Sequence, residues 1–155
     1  LEMQCYWYKP EETSKALRHG WLYTGDMARQ DADGFLYIVD RSKDMIISGG
    51  FNVYPREVED VLSQHPAVAA AAVVGVPDAK WGEAVRALVV LRPGTSVVVE
   101  DLVPELMAFV REKKGAVYTP KAIDIVDALP VTGLGKLDKK AIRAQFWQGQ
   151  GRAIH

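Results

Sequence analysis

The chain reads as a mixed α+β protein: a small β segment, then a compact domain with a small mixed sheet flanked by helices. Three observations carry this. An Asp-Gly turn stands between β-prone runs at residues 31–34. Two Val- and Ala-rich runs of strand length, 68–76 and 84–91, lie close together. Three stretches opening near Pro55, Glu100 and Asp138 repeat apolar residues at helical spacing.

Residues 1–20 are polar and aromatic without a clear period, with 10–13 a loop entering a short helical turn over 14–18. Met27-Ala28-Arg29, the turn Asp31-Ala32-Asp33-Gly34 and the run 35–39 predict a hairpin in which Gly34 is free to take a positive φ. Asp40-Arg41-Ser42-Lys43-Asp44 reads as a solvated joint, followed by a strand over 45–48 that ends at Gly49-Gly50. Pro55 opens a helix whose Glu57 and Glu59 favour its N-terminal dipole and whose Val58, Val61 and Leu62 share a face. The runs 68–76 and 84–91 are buried strands. Leu102, Val103, Leu106, Phe109 and Val110 define a helix over 100–114 that ends at Gly115. A strand over 122–126, a glycine loop over 130–135 and a helix over 138–147 with Ala141, Ile142 and Phe146 inward complete the domain, before a frayed tail over 148–155.

Composition narrows the function. The 155 residues are 48% hydrophobic, with 19 basic against 20 acidic side chains and a formal net charge of -1, the profile of one soluble domain or one and a half. Balanced charge supplies no general field for nucleic acid or an anionic membrane, so phosphate affinity has to come from a local site. The longest apolar run, 67–76, is about ten residues, short of the ~20 of a transmembrane segment. The single cysteine, Cys5, excludes an internal disulfide and fits a reducing, cytoplasmic setting. His19, His65 and His155 lack metal-ligand spacing, so no metal site is expected. The chain starts at Leu1 without a targeting segment, which predicts a piece of a larger protein.

Three stretches pair glycine with a polar residue that no core needs. Tyr23-Thr24-Gly25-Asp26 is either a tight turn or a carboxylate offered to sugar hydroxyls. Residues 40–44 with Ser48-Gly49-Gly50 are either a charged joint and turn, or a place where a ligand approaches the backbone closely. Thr132-Gly133-Leu134-Gly135-Lys136 lacks P-loop spacing and has Leu137 after the lysine, so it is no Walker motif. Its lysine is either a solvated loop residue or a point charge for a phosphate.

The order and separation of these stretches, with Tyr6-Trp7, Pro10-Glu11-Glu12-Thr13 and Gly20-Trp21 ahead of them, resemble the C-terminal part of an AMP-forming acyl-CoA synthetase. These enzymes belong to the adenylate-forming superfamily of acyl- and aryl-CoA ligases, luciferases and nonribosomal adenylation domains. The resemblance covers nearly the whole chain. It implies that 1–39 close a large N-terminal domain, that 40–43 form a hinge with Lys43 as its pivot, and that 44–155 are a mobile C-terminal domain. It implies ATP, Mg2+ and coenzyme A as cofactors and substrates, a carboxylic acid, fatty acids being the default, and the chain's own large domain as partner. Asp26 and Arg41 then meet the ribose of ATP or AMP, Lys136 meets the carboxylate and α-phosphate, and Gly49 and Gly50 line the pantetheine path.

Some positions depart from that pattern. Ile47 stands where several relatives carry lysine, Tyr118-Thr119-Pro120-Lys121 is a residue shorter than the commonest version, and Trp81 is equally a packing residue or a CoA neighbour. The exposed glycine loop also makes Lys136 a candidate for a lysine acetyltransferase. Two alternatives accompany the ligase reading, an adenylation domain that loads a carrier protein and a non-catalytic module of the same fold. The fragment alone is expected to be inactive.

Overall fold

The computed structural model describes residues 3–148, so the tail beyond Gln148 lies outside it. The chain divides into two compact units, Leu1–Ser42 and Lys43–His155.

In the first unit, helix α1 spans Pro10–Ala16, and strands β1 (Leu17–Arg18) and β2 (Trp21–Leu22) pair antiparallel. The helical turn therefore starts earlier than 14–18, and Leu17-Arg18 are strand. Pro10 at the first helical turn brings a preset φ, and Glu11 and Glu12 complement the dipole there. The β1–β2 turn is made by His19 at φ 54° and Gly20 at φ 79°, a left-handed pair that two-residue strands did not reveal. Strands β3 (Asp26–Gln30) and β4 (Leu36–Arg41) form the expected hairpin. Asp31 Oδ1 accepts the amides of Asp33 at 3.0 Å and Phe35 at 2.9 Å and so shapes the turn. Asp40 and Arg41 close β4 rather than lying in a solvated joint, and Asp40 is buried.

A 3-10 turn, Ser42–Asp44, leads into the second unit. Its strands are β5 (Ile46–Ser48), β6 (Phe51–Val53), β7 (Val68–Asp78), β8 (Gly82–Leu91) and β9 (Ala122–Ile125), and its helices α2 (Pro55–Leu62), α3 (Val99–Lys114) and α4 (Lys139–Phe146). The sheet order is β6-β5-β8-β7, and β9 runs parallel to β8 beside β5, so the sheet is mixed. Val73, Val85, Ala87 and Val89 face a core shared with Val58, Val61 and Leu62 of α2 and Leu102, Leu106 and Val110 of α3. Ala72, Val74 and Leu88 face Ile142 and Phe146 of α4 on the other side. Burial on both faces explains why these strands read as unbroken apolar runs.

Helix α4 is fixed at three points. Asp138 caps it through the Ala141 amide at 2.9 Å, Lys139 meets Glu59 at 2.8 Å, and Arg143 meets Asp44 at 2.7 Å. Beyond its end, Trp147 Nε1 donates to the Gly75 carbonyl at 2.9 Å. The helix that follows the glycine loop is thus tied to α2, to β7 and to the residue immediately after Lys43. Among the described residues no helix is long and apolar enough to cross a membrane.

Candidate active site

In the first unit, Asp26 and Arg41 stand directly opposite each other across β3 and β4, and Arg41 Nε lies 2.8 Å from Asp26 Oδ1. A β-bulge creates this pairing. From Gln30↔Leu36 to Ala28↔Ile38 the register is regular, then Met27 pairs with Asp40 and Asp26 with Arg41, which leaves Val39 as the extra residue. Without the bulge Asp26 would face Asp40, and two carboxylates would repel where a carboxylate and a guanidinium now attract. The Gly25 turn is locked as well. Gly25 sits at φ 76°, its carbonyl accepts the Ser42 amide at 2.9 Å, and the Asp26 amide donates to Thr24 Oγ1 at 3.1 Å.

An open groove of about 540 Å³ runs along this turn, lined by Lys15, Arg18, Tyr23, Thr24, Asp26 and Ser42 among others. The Arg18 guanidinium lies 4.0 Å from the Tyr23 ring centroid. A carboxylate suited to a diol therefore shares a groove with two cations. Lys15 and Arg18 were not among the expected site residues, because the short helix and the two-residue strand that present them carry no period.

In the second unit, Gly49 and Gly50 form the two-residue turn between β5 and β6, at φ 59° and 83°. Their roles differ. A Cβ on Gly49 would come within 2.6 Å of Trp81 Cε3, so the missing side chain admits the indole, whereas nothing lies within 4 Å of a Cβ on Gly50. The Gly49 amide also donates to the Trp81 carbonyl at 2.9 Å. Trp81 packs on Gly49 yet stays partly exposed, with Lys80 Nζ 4.6 Å and Lys121 Nζ 5.8 Å from its ring centroid. Ile47 and Phe51, on the same hairpin, are exposed. Near Lys121, burial pushes the Tyr118 phenol above its ordinary pKa, and the Glu57 carboxylate adds to the shift.

Lys136 lies elsewhere in this unit, on a tight loop. Val131 and Leu137 bridge at its base, the Thr132 amide donates to the Lys136 carbonyl at 2.7 Å, and Gly135 turns at φ 75°. Leu137 packs in the α4-side core, while Leu134 at the tip and Lys136 are exposed. The β5–β6 hairpin sends Ile46 and Val53 into the opposite core. Lysine loop and glycine hairpin are therefore rooted on opposite faces of one sheet. Lys43 opens this unit, within the 3-10 turn. Among the described residues no group of three or more His, Cys, Asp or Glu side chains converges as metal ligands.

A small mixed-sheet domain that presents an exposed lysine loop and a glycine hairpin from opposite faces defines a class. The chain belongs to the AMP-binding enzyme C-terminal domain family, which matches residues 57–136 and so ends on Lys136. It is 59% identical over 152 residues, 96% of its length, to a medium/long-chain-fatty-acid–CoA ligase of Mycobacterium tuberculosis, of which it spans 27%. Solved structures are similar as well, two of them as follows. An amide bond synthetase from Marinactinospora thermotolerans aligns with a TM-score of 0.82 and 46% identity over 93% of this chain and 29% of that one. An anthranilate CoA ligase in complex with anthranoyl-AMP aligns with a TM-score of 0.84 and 36% identity over 92% of this chain and 27% of that one. The chain thus spans about a quarter of the length of the curated relatives it matches.

Proposed function

We propose that the chain is the C-terminal part of an ATP-dependent acyl-CoA synthetase, with residues 1–39 closing the large domain, 40–43 the hinge and 44–155 the mobile domain. In the first step a carboxylate oxygen attacks the α-phosphorus of ATP. The bond to the β-phosphate oxygen breaks, and pyrophosphate leaves with the electron pair. Mg2+ arrives on the triphosphate as part of the substrate. In the second step the thiol of coenzyme A attacks the acyl carbonyl carbon, the bond to AMP breaks, and the thiol proton passes to solvent.

The residues divide between the steps. Asp26 accepts hydrogen bonds from the ribose hydroxyls, since a carboxylate carries about four acceptor sites and Arg41 orients it through Oδ1. Arg41 contributes its remaining donors to the same sugar. Lys136 offsets the charge that builds up as two anions meet. Gly50 leaves space for the pantetheine arm beside Trp81, and Gly49 lets the indole stand there. Rotation about Lys43 presents the lysine loop first and the glycine hairpin second. Acetylation of the exposed Lys136 would remove the charge needed by the first step.

The observation that carries this reading is the bulge-set Asp26–Arg41 pair, which faces a carboxylate and a guanidinium across one hairpin where sequence order alone would have faced two carboxylates. The 59% identical relative supports a medium- or long-chain fatty acid as the carboxylate. The test is product analysis of the full-length ligase supplied with ATP, Mg2+ and a fatty acid. Pyrophosphate, AMP and a thioester of free coenzyme A are expected. Transfer only to a pantetheinylated carrier protein, or only to an amine, would replace coenzyme A as acceptor, and no pyrophosphate with any acid would overturn the reading.

A further inference from the structure

The hairpin that carries Gly49 and Gly50 is weakly held by the sheet it joins. Strand β5 pairs with β8 at one position, Ser48↔Gly82. In a two-residue hairpin the flanking pair, Ser48↔Phe51, exchanges hydrogen bonds, so the amide of the next residue, Ile47, points away from β6 and toward β8. No β8 carbonyl receives it. Instead the Ile47 amide donates to Glu83 Oε2 at 3.0 Å, a side-chain acceptor where a ladder would place main chain.

Glu83 is itself confined. It is only 9% exposed, and a Cβ on Gly75, in the neighbouring strand β7, would lie 2.8 Å from the same Oε2. Gly75 thus leaves the room in which the carboxylate lies. Trp81 and Gly82, immediately before Glu83, also tie the hairpin through the main chain, where the Gly49 amide donates to the Trp81 carbonyl and Ser48 pairs with Gly82. One short segment of β8 fixes the glycine turn, the indole beside it and the amide behind it.

We infer that Glu83 is a positioning residue for thioester formation: its buried carboxylate holds the Ile47 amide and so sets where Gly50 and Trp81 meet the thiol arm. It touches neither substrate. The inference rests on the proposal that this hairpin meets coenzyme A. Its signature is selective, because the lysine loop is rooted in the other core, so loosening the hairpin leaves adenylate formation alone.

The test has two readouts. In this chain, hydrogen exchange at the Ile47 amide is expected to quicken at least about tenfold in Glu83→Ala and to stay slow in Glu83→Gln, whose amide oxygen still accepts. In the full-length ligase, Glu83→Ala is expected to lower kcat/KM for coenzyme A, with acyl-AMP supplied, by about ten- to hundredfold, the scale of a reacting group displaced by about 1 Å. Acid-dependent pyrophosphate release stays at the wild-type rate, and Glu83→Gln recovers most of the thioester rate. Gly75→Ala crowds the carboxylate without changing residue 83, with Ile46 Cγ2 also 3.2 Å from the added Cβ, and should show the same split, with faster exchange at Ile47, if Glu83→Ala fails to fold. Unchanged exchange at Ile47, equal loss of both half-reactions, or a Glu83→Gln variant as impaired as Glu83→Ala would overturn the inference. A wild-type ligase that makes adenylate but no thioester would also overturn it, and would be told apart from a failure at Glu83 because Ile47 protection would still be lost in Glu83→Ala.

Discussion

Replacing Lys136 by alanine in the full-length ligase lowers the rate of acyl-adenylate formation by at least about a hundredfold, the scale of losing one preorganised charge-stabilising group. Conversion of supplied acyl-AMP and coenzyme A to thioester continues at close to the wild-type rate. The asymmetry follows from where charge develops. Adenylation drives an anionic carboxylate onto a phosphate, so an ammonium group has its largest effect there. In the thioester step AMP is already formed, and the Lys136 loop, rooted in the α4-side core, is not the face proposed to meet the thiol. Pyrophosphate release without coenzyme A reads the first step, and thioester formation from synthetic acyl-AMP reads the second. Equal loss of both would remove Lys136 from the role given to it.

The second large effect is on stability. Arg143→Ala leaves the Asp44 carboxylate, 13% exposed, without the guanidinium that lies 2.7 Å from it, and removing one partner of such a buried pair costs about 3–5 kcal/mol. For a chain of this size that lowers Tm by roughly 6–20 °C. The double variant Asp44→Asn/Arg143→Met leaves no unpaired buried charge, and should recover most of the loss because replacing both partners of a buried pair is close to neutral. Urea unfolding of the three proteins decides it. A single variant that costs less than about 1 kcal/mol would mean that the pair behaves like an exposed one.

Much of the second unit could be read from the chain. The Val and Ala runs of β7 and β8, the apolar spacing of α2 and α3, Gly115 after α3 and Asp138 before α4 are local signals, and each element formed where its signal lay. What failed was short or non-local. Strand β6 is three residues long, and its signal was the Gly49-Gly50 pair itself, read as a turn or a place for a ligand to come close but not as a hairpin turn with a strand after it. Helix α1 began early because Pro10 favours a first turn even in a polar, aperiodic stretch.

Site geometry was legible to a different depth. Asp26, Arg41, Lys43, Gly49, Gly50 and Lys136 could be named from motif order, but their surroundings could not. Arg41 faces Asp26 through a one-residue bulge at Val39, and no local pattern announces which residue a hairpin will leave unpaired. Glu83 reaches a main-chain amide 36 residues away, and a Cβ on Gly75 would come within 2.8 Å of that carboxylate. Such contacts exist only once the sheet has formed.

On the proposed reading, one mobile unit serves two half-reactions by turning about Lys43. The most direct test is Lys43→Pro in the full-length ligase, which fixes φ near −65° at the pivot. Measured in single turnover, one half-reaction is expected to keep its rate while the other falls at least about a hundredfold, since the unit is then held in one orientation. Wild-type rates in both half-reactions, or equal loss of both, would contradict the account.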